Sequence, residues 1–147
     1  LREAHGVAGG EGVAGAGHVE EVVGEFTSLF AGGFRCADLE ARPWPYPGDQ
    51  FAGIVVANYL HRPLFPHLLA ALETGGVLIY ETFADGNQSV GKPSRPDFLL
   101  RHGELLQVAS DLRIVAYEDG FLDAPPRFVQ RIAAVAGADG GQRHPLA

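Results

Sequence analysis

Residues 51–83 read FAGIVVANYLHRPLFPHLLAALETGGVLIYETF, and the fold turns on this stretch. Its opening, 51–60, is apolar on both alternating sets of positions until Asn58, the pattern of a strand buried on both faces in a parallel sheet. Pro63 or Pro66 suits the first turn of a helix running to Glu73. Leu64, Leu68, Leu69 and Leu72 face inward, and Gly75-Gly76 closes it. A second buried strand follows at 77–83. Strand, helix and strand in this order make a parallel crossover unit. In such sheets ligands sit beyond the carboxyl ends of the strands, so the switch at Asn58 from apolar to polar marks a pocket.

The neighbouring segments extend the unit. Residues 84–97 form a polar loop too long for a plain connector, suited to a lid or binding element. A short helix is expected over 103–109, then strands over 112–118 and 127–137 joined without a helix, hence antiparallel at one edge. Upstream, Val19, Val22, Val23, Phe26, Leu29 and Phe30 share one helical face that ends at Gly32-Gly33. Residues 34–39 read as a short strand, and the prolines of 41–49 exclude helix there. The expected fold class is α/β: a Rossmann-like sheet, mostly parallel, with an antiparallel C-terminal edge hairpin. It divides into a glycine-rich disordered arm (1–17), a domain (18–137) and a disordered tail (138–147).

Composition bounds the function. The 147 residues carry 11 basic and 18 acidic side chains, a formal net charge of −7. Such a balance is ill suited to phosphate backbones, so no nucleic-acid partner is expected, although a local basic patch is compatible with it. Cys36 is the single cysteine, which rules out an internal disulfide and a cysteine-based zinc cluster and fits a cytoplasmic setting. No run approaches a membrane span, and the start lacks a signal-peptide pattern. The chain begins at Leu1 and holds no methionine, which implies an unusual start or a missing beginning.

The segments ADLEARPWPYPGDQFAGIVVANYL and NYLHRPLFPHLLAALETGGVLIYETF, with the later GN, GKPSRPDFLL and GELL, resemble class I S-adenosylmethionine-dependent methyltransferases. The likeness covers about residues 34–136 and is nearest the bacterial tellurite-resistance-type branch. The resemblance implies S-adenosylmethionine as cofactor and a small-molecule acceptor. It places Asp38 and Leu39 near the adenine, and Asn58, Tyr59 and Leu60 around the methionine moiety. It gives catalytic positions to Asn58, His61 and Glu81, and turns Tyr59, Arg62 and Thr82 toward the substrate. Two further strand–helix units precede residue 34 in that family, so the chain is expected to be N-terminally incomplete, a fragment without the glycine-loop unit. A bare edge at 34–39 or 51–60 would then invite a homo-oligomer. Ala52 stands where the family usually has aspartate. The alternative is a catalytically inactive remnant serving as a binding or oligomerisation module.

Each signal has a plainer rival. Gly10-Glu-Gly12-Val-Ala-Gly15 fits G-x-G-x-x-G, with Asp38 downstream, and would suggest a nicotinamide-dependent oxidoreductase, but no apolar strand is evident before it. His61, His67 and His102 match no metal-ligand spacing, so no metal is expected. His61 is a base or a helix-flanking surface group. Glu81 is a site carboxylate or a structural partner of Arg62 or Arg101. Asn58 is a site residue or a turn former. Lys92, Arg95 and Arg101 attract an anionic substrate or decorate a solvated loop. Trp44 and Tyr46 are expected to pack the proline turn against the sheet, and Cys36 to fill core space.

Overall fold

The computed structural model describes residues 5–8, 37–40 and 42–137. Five strands form one sheet in the order β1-β2-β3-β5-β4. They are β1 (His5–Ala8), β2 (Phe51–Ala57), β3 (Leu72–Phe83), β4 (Arg113–Asp123) and β5 (Pro126–Val135). β2 runs parallel to both its neighbours, with Ile54 opposite His5 on one side and Leu78 on the other. β5 is antiparallel to both β3 and β4. The sheet is therefore mixed, not mostly parallel: the antiparallel half carries the longer ladders. A strand that returns by a tight turn, without a crossover, can only pair antiparallel, and β5 inserts between β3 and β4 instead of extending the edge.

Helices cover one face. α1 (Phe65–Ala70) follows a 3-10 turn at Arg62–Leu64, and α2 (Glu104–Val108) starts at Gly103. Beneath them lie Ile54 and Val56 of β2, Leu78 and Tyr80 of β3, and Ile132 and Ala134 of β5, packed with Leu64, Phe65, Leu68, Leu100 and Leu105. Side chains alternate across a strand, so Val55, Ile79 and Glu81 lie on the opposite, outer face, where Val55 is 39% and Ile79 47% exposed.

α1 stops three residues earlier than expected. Ala71 donates its N–H to His67 O, and Leu72 already pairs with Phe51 in the sheet. Gly75-Gly76 is consequently not a helix stop but a kink inside β3. Gly75 has φ 82°, and a Cβ on Gly76 would lie 2.8 Å from Glu73 O and 2.9 Å from Phe51 O. The two strands shift register at this point, which only glycine accommodates.

Within the segment read as an arm, His5–Ala8 forms β1 on the free edge of β2. β2 is thus an interior strand, which removes it as a pairing edge. Residues 37–39, expected to end a strand, are coil leading into a turn. The expected helix of 18–31, the start of the 34–39 strand, Cys36 and the 138–147 tail lie outside the described residues. The proline turn meets the sheet through Tyr46, whose ring lies edge-on to Phe51 of β2 at 5.4 Å, while Trp44 stacks on His67 of α1 at 5.8 Å and meets Tyr46 edge-on at 5.5 Å.

Candidate functional site

The carboxyl ends of β2 and β3 meet at Asn58. This residue has φ 53°, the left-handed region that asparagine tolerates better than most side chains. Its N–H donates to Glu81 O at 2.9 Å, one last rung that fixes the bend to β3. The bend ends β2 and turns Tyr59 aside. Tyr59 O accepts from the buried Tyr80 hydroxyl at 2.7 Å, and the Tyr59 hydroxyl donates to Glu40 Oε1 at 3.3 Å. Asp38 belongs to the same corner, its Oδ1 accepting the Glu40 N–H at 3.0 Å. Burial, then the Glu40 charge and hydrogen bond, then Asp38 push the Tyr59 phenol up to about 12. Burial also raises Tyr80, with smaller contributions from Tyr59 and Glu104.

Asp38, Leu39, Asn58 and Tyr59 are thereby gathered at one rim, although 18 residues (40–57) separate Leu39 from Asn58 in sequence. Asp38, Glu40 and Asn58 are exposed, Leu39 half-buried against the core. Leu60 is different: it is 7% exposed and belongs to the core under the rim. His61 is half-buried at the start of the 3-10 turn, with no side-chain capping bond there.

Arg62 is spoken for. Its Nε and Nη2 donate to the two Glu104 carboxylate oxygens at 2.7 and 2.9 Å, Nη1 to Asp97 O and Nη2 also to Leu99 O, each at 2.9 Å. The resemblance turned this guanidinium toward substrate; here it binds the segment that precedes α2 onto the turn after β2. Burial alone would raise the Glu104 carboxyl, but the Arg62 hydrogen bonds and the Arg101 amide hold it below its ordinary value.

Glu81 and Thr82 cannot share a site wall, because adjacent strand residues point to opposite faces. Thr82 is 2% exposed on the helix-covered face. Glu81 is half-buried on the outer face and pairs with neither Arg62 nor Arg101. Its partners are Arg131 Nε at 2.7 Å and Arg127 Nη2 at 3.6 Å, and Arg131 also meets Glu118 at 3.1 Å. The short Arg131–Glu81 approach is a charge contact without the alignment of a hydrogen bond.

The 84–97 loop is pinned rather than free. Asn87, 1% exposed, donates to Pro93 O at 3.0 Å and accepts the Phe128 N–H at 3.1 Å. Arg95 pairs with Asp97 at 2.9 Å, while Lys92 and Arg101 are exposed. Sequence reasoning missed Glu40, Asn87 and Glu104. For Glu104 a signal existed, the GEL triplet at a helix start; the other two depend on partners 19 and 41 residues away. β1 also supplies a strand two residues before Gly10, which the G-x-G-x-x-G reading lacked. The glycines themselves lie outside the described residues.

No family model and no curated protein matches this chain. Among solved structures, TehB from Haemophilus influenzae is similar at a TM-score of 0.47 and 17% identity, over 60% of this chain and 36% of that one. A 16S rRNA (adenine(1408)-N(1))-methyltransferase mutant from Catenulisporales acidiphilia, with cosubstrate SAM, gives 0.36 and 12%, over 63% and 56%. The chain thus spans about a third of the first protein's length and just over half of the second's.

Proposed function

We propose that this chain forms an S-adenosylmethionine-dependent methyltransferase domain acting on a small-molecule acceptor in a bacterial cytoplasm. The observation that carries the reading is the rim at Asn58. A left-handed residue ends the middle parallel strand, is tied to the end of the next one, and sets Tyr59 against the acidic Asp38–Glu40 corner. Exposed carboxylates beside an aromatic ring suit the hydroxyl and amino groups of a nucleoside. Asp38, Leu39, Asn58 and Tyr59 would hold the cofactor, with Leu60 as their support from the core. When bound, the cofactor supplies an electrophilic methyl group on a sulfonium, so the chain needs no nucleophile of its own. The chain's own task is to orient the reactants, an effect worth ~7–11 kcal/mol where alignment is good. His61 serves as base only for an acceptor that must lose a proton.

Calorimetric titration with S-adenosylmethionine tests this. Saturable heat that falls several-fold in Asn58→Ala, at unchanged folding, is the expected result. No heat at millimolar cofactor from a folded sample overturns it. The open outer face around Val55 and Ile79 favours a second reading, a catalytically silent module that binds another chain. That reading expects no cofactor heat and a sedimentation coefficient that rises with concentration.

A further inference from the structure

A cluster of titratable groups stands apart from the Asn58 rim. Asp119 of β4 accepts two hydrogen bonds on one oxygen, Oδ2, from the Tyr117 hydroxyl at 3.1 Å and from the Gly103 N–H at 3.2 Å, and His102 Nδ1 stands 2.6 Å from the same oxygen. The Asp119 side chain is 14% exposed, whereas that of His102 is 93% exposed. Burial, then the bond to Asp119, pushes the Tyr117 phenol up to about 12. Gly103 begins α2 in a left-handed conformation and has no side chain with which to cap it. The carboxylate that receives this amide therefore comes from another element, the edge strand.

We propose that His102 and Asp119 form a proton-dependent clasp that holds the segment 101–105 on β4. With the imidazole charged, the contact is an ion pair; with it neutral, the charge attraction is lost. The other fastenings of this segment do not change with the proton. Gln130, fully buried, donates to Arg101 O at 2.6 Å and accepts the Leu105 N–H at 3.2 Å. Arg62, from the turn after β2, grips Glu104, which also accepts the Arg101 N–H at 2.8 Å. The groups facing the clasp are thus Asp119 and Tyr117 from β4, Arg101 and Glu104 from its own segment, and Arg62 from the turn. Of these types only imidazole changes charge across about pH 5 to 8. The segment continues from the Asp97 and Leu99 carbonyls held by Arg62, so the clasp sets how firmly the chain is fastened beside the Asn58 rim. It does so whether or not that rim binds a cofactor.

Amide hydrogen exchange of the full chain, corrected for the intrinsic rate at each pH, reads the clasp directly. Protection of Gly103 is expected to be about 1.5- to 5-fold greater at about pH 5.5 than at about pH 8, the range for an exposed ion pair. The Leu78 amide, deep in β3, should not share the change. His102→Gln and Asp119→Asn should each abolish the difference. If Asp119→Asn does not fold, by the fluorescence of Trp44, His102→Gln decides alone, since that side chain projects into solvent. Equal Gly103 protection at both pH values overturns the proposal. So does a difference that survives in His102→Gln, or one shared equally by Leu78.

Discussion

At the scale of single residues, Asn58 and Arg62 carry the most consequence. Asn58 holds φ 53° with its amide committed to Glu81. Glycine is at ease there and a β-branched side chain is not. Asn58→Gly should leave stability within about 0.5 kcal/mol, and Asn58→Val should cost ~1–3 kcal/mol by urea denaturation. The Arg62–Glu104 pair is bidentate and partly sheltered, its side chains 32% and 13% exposed. Removing Arg62 strands a mostly buried carboxylate and two carbonyls, so Arg62→Ala should cost about 2 kcal/mol, less than a fully buried pair because solvent reaches the guanidinium. The pH dependence has a definite sign. Glu104 is depressed in the folded chain, so its stabilisation is complete above the ordinary glutamate value of about 4.3 and fades as pH falls through the lower native value. The stability gap between wild type and Glu104→Gln, followed by urea titration at stepped pH, should therefore close in acid. Asn58 and the acidic end at Asp38 could be read from the sequence because each interrupts an apolar run. Glu81's partners could not, because Arg127 and Arg131 reach it only through the pairing of β3 with β5.

At the scale of elements, the kink in β3 and the pinned 84–97 loop are the informative departures. Periodicity alone favoured a helix through Leu72, and two adjacent glycines looked like its stop. The register between β2 and β3 decided otherwise, since Phe51 pairs with Leu72 and fixes the following residues against the strand. The two glycines should respond differently to a methyl group. Gly76→Ala meets two carbonyl oxygens below 3 Å and should cost ~3 kcal/mol, whereas Gly75→Ala meets open space and bears only the strain of its positive φ, ~1 kcal/mol. Thermal denaturation of the pair separates these values. Gln130 is the corresponding element-level anchor for α2. Gln130→Leu leaves the Arg101 carbonyl and the Leu105 amide without their side-chain partner and should lower stability by about 2 kcal/mol. The loop's length was visible in the sequence, but its immobilisation by Asn87 was not, because that side chain's two partners come from Pro93 and β5.

At the scale of the whole molecule, one face of the sheet is covered and the other carries Val55 and Ile79 in the open. Among the described residues no helix is long and apolar enough to cross a membrane. If the face is free in solution, Ile79→Lys should change stability by no more than about 0.5 kcal/mol. A larger loss on calorimetry would mean that something covers it. The sequence by itself determined where β2, α2 and the closing strands begin, and the part of β3 from Val77 onward, because burial on one or both faces writes a period into the residues that make each element. It also marked Asn58 as the point where the dry strand gives way to exposed polar groups, since polar groups at the end of such a strand must reach water or a ligand. Only the tertiary structure decided the mixed sheet, with β5 inserted between β3 and β4, and the joining of Tyr59 to Glu40, Arg62 to Glu104 and His102 to Asp119. Those depend on strand order and crossing geometry, which bring together residues that leave no periodic trace in the chain.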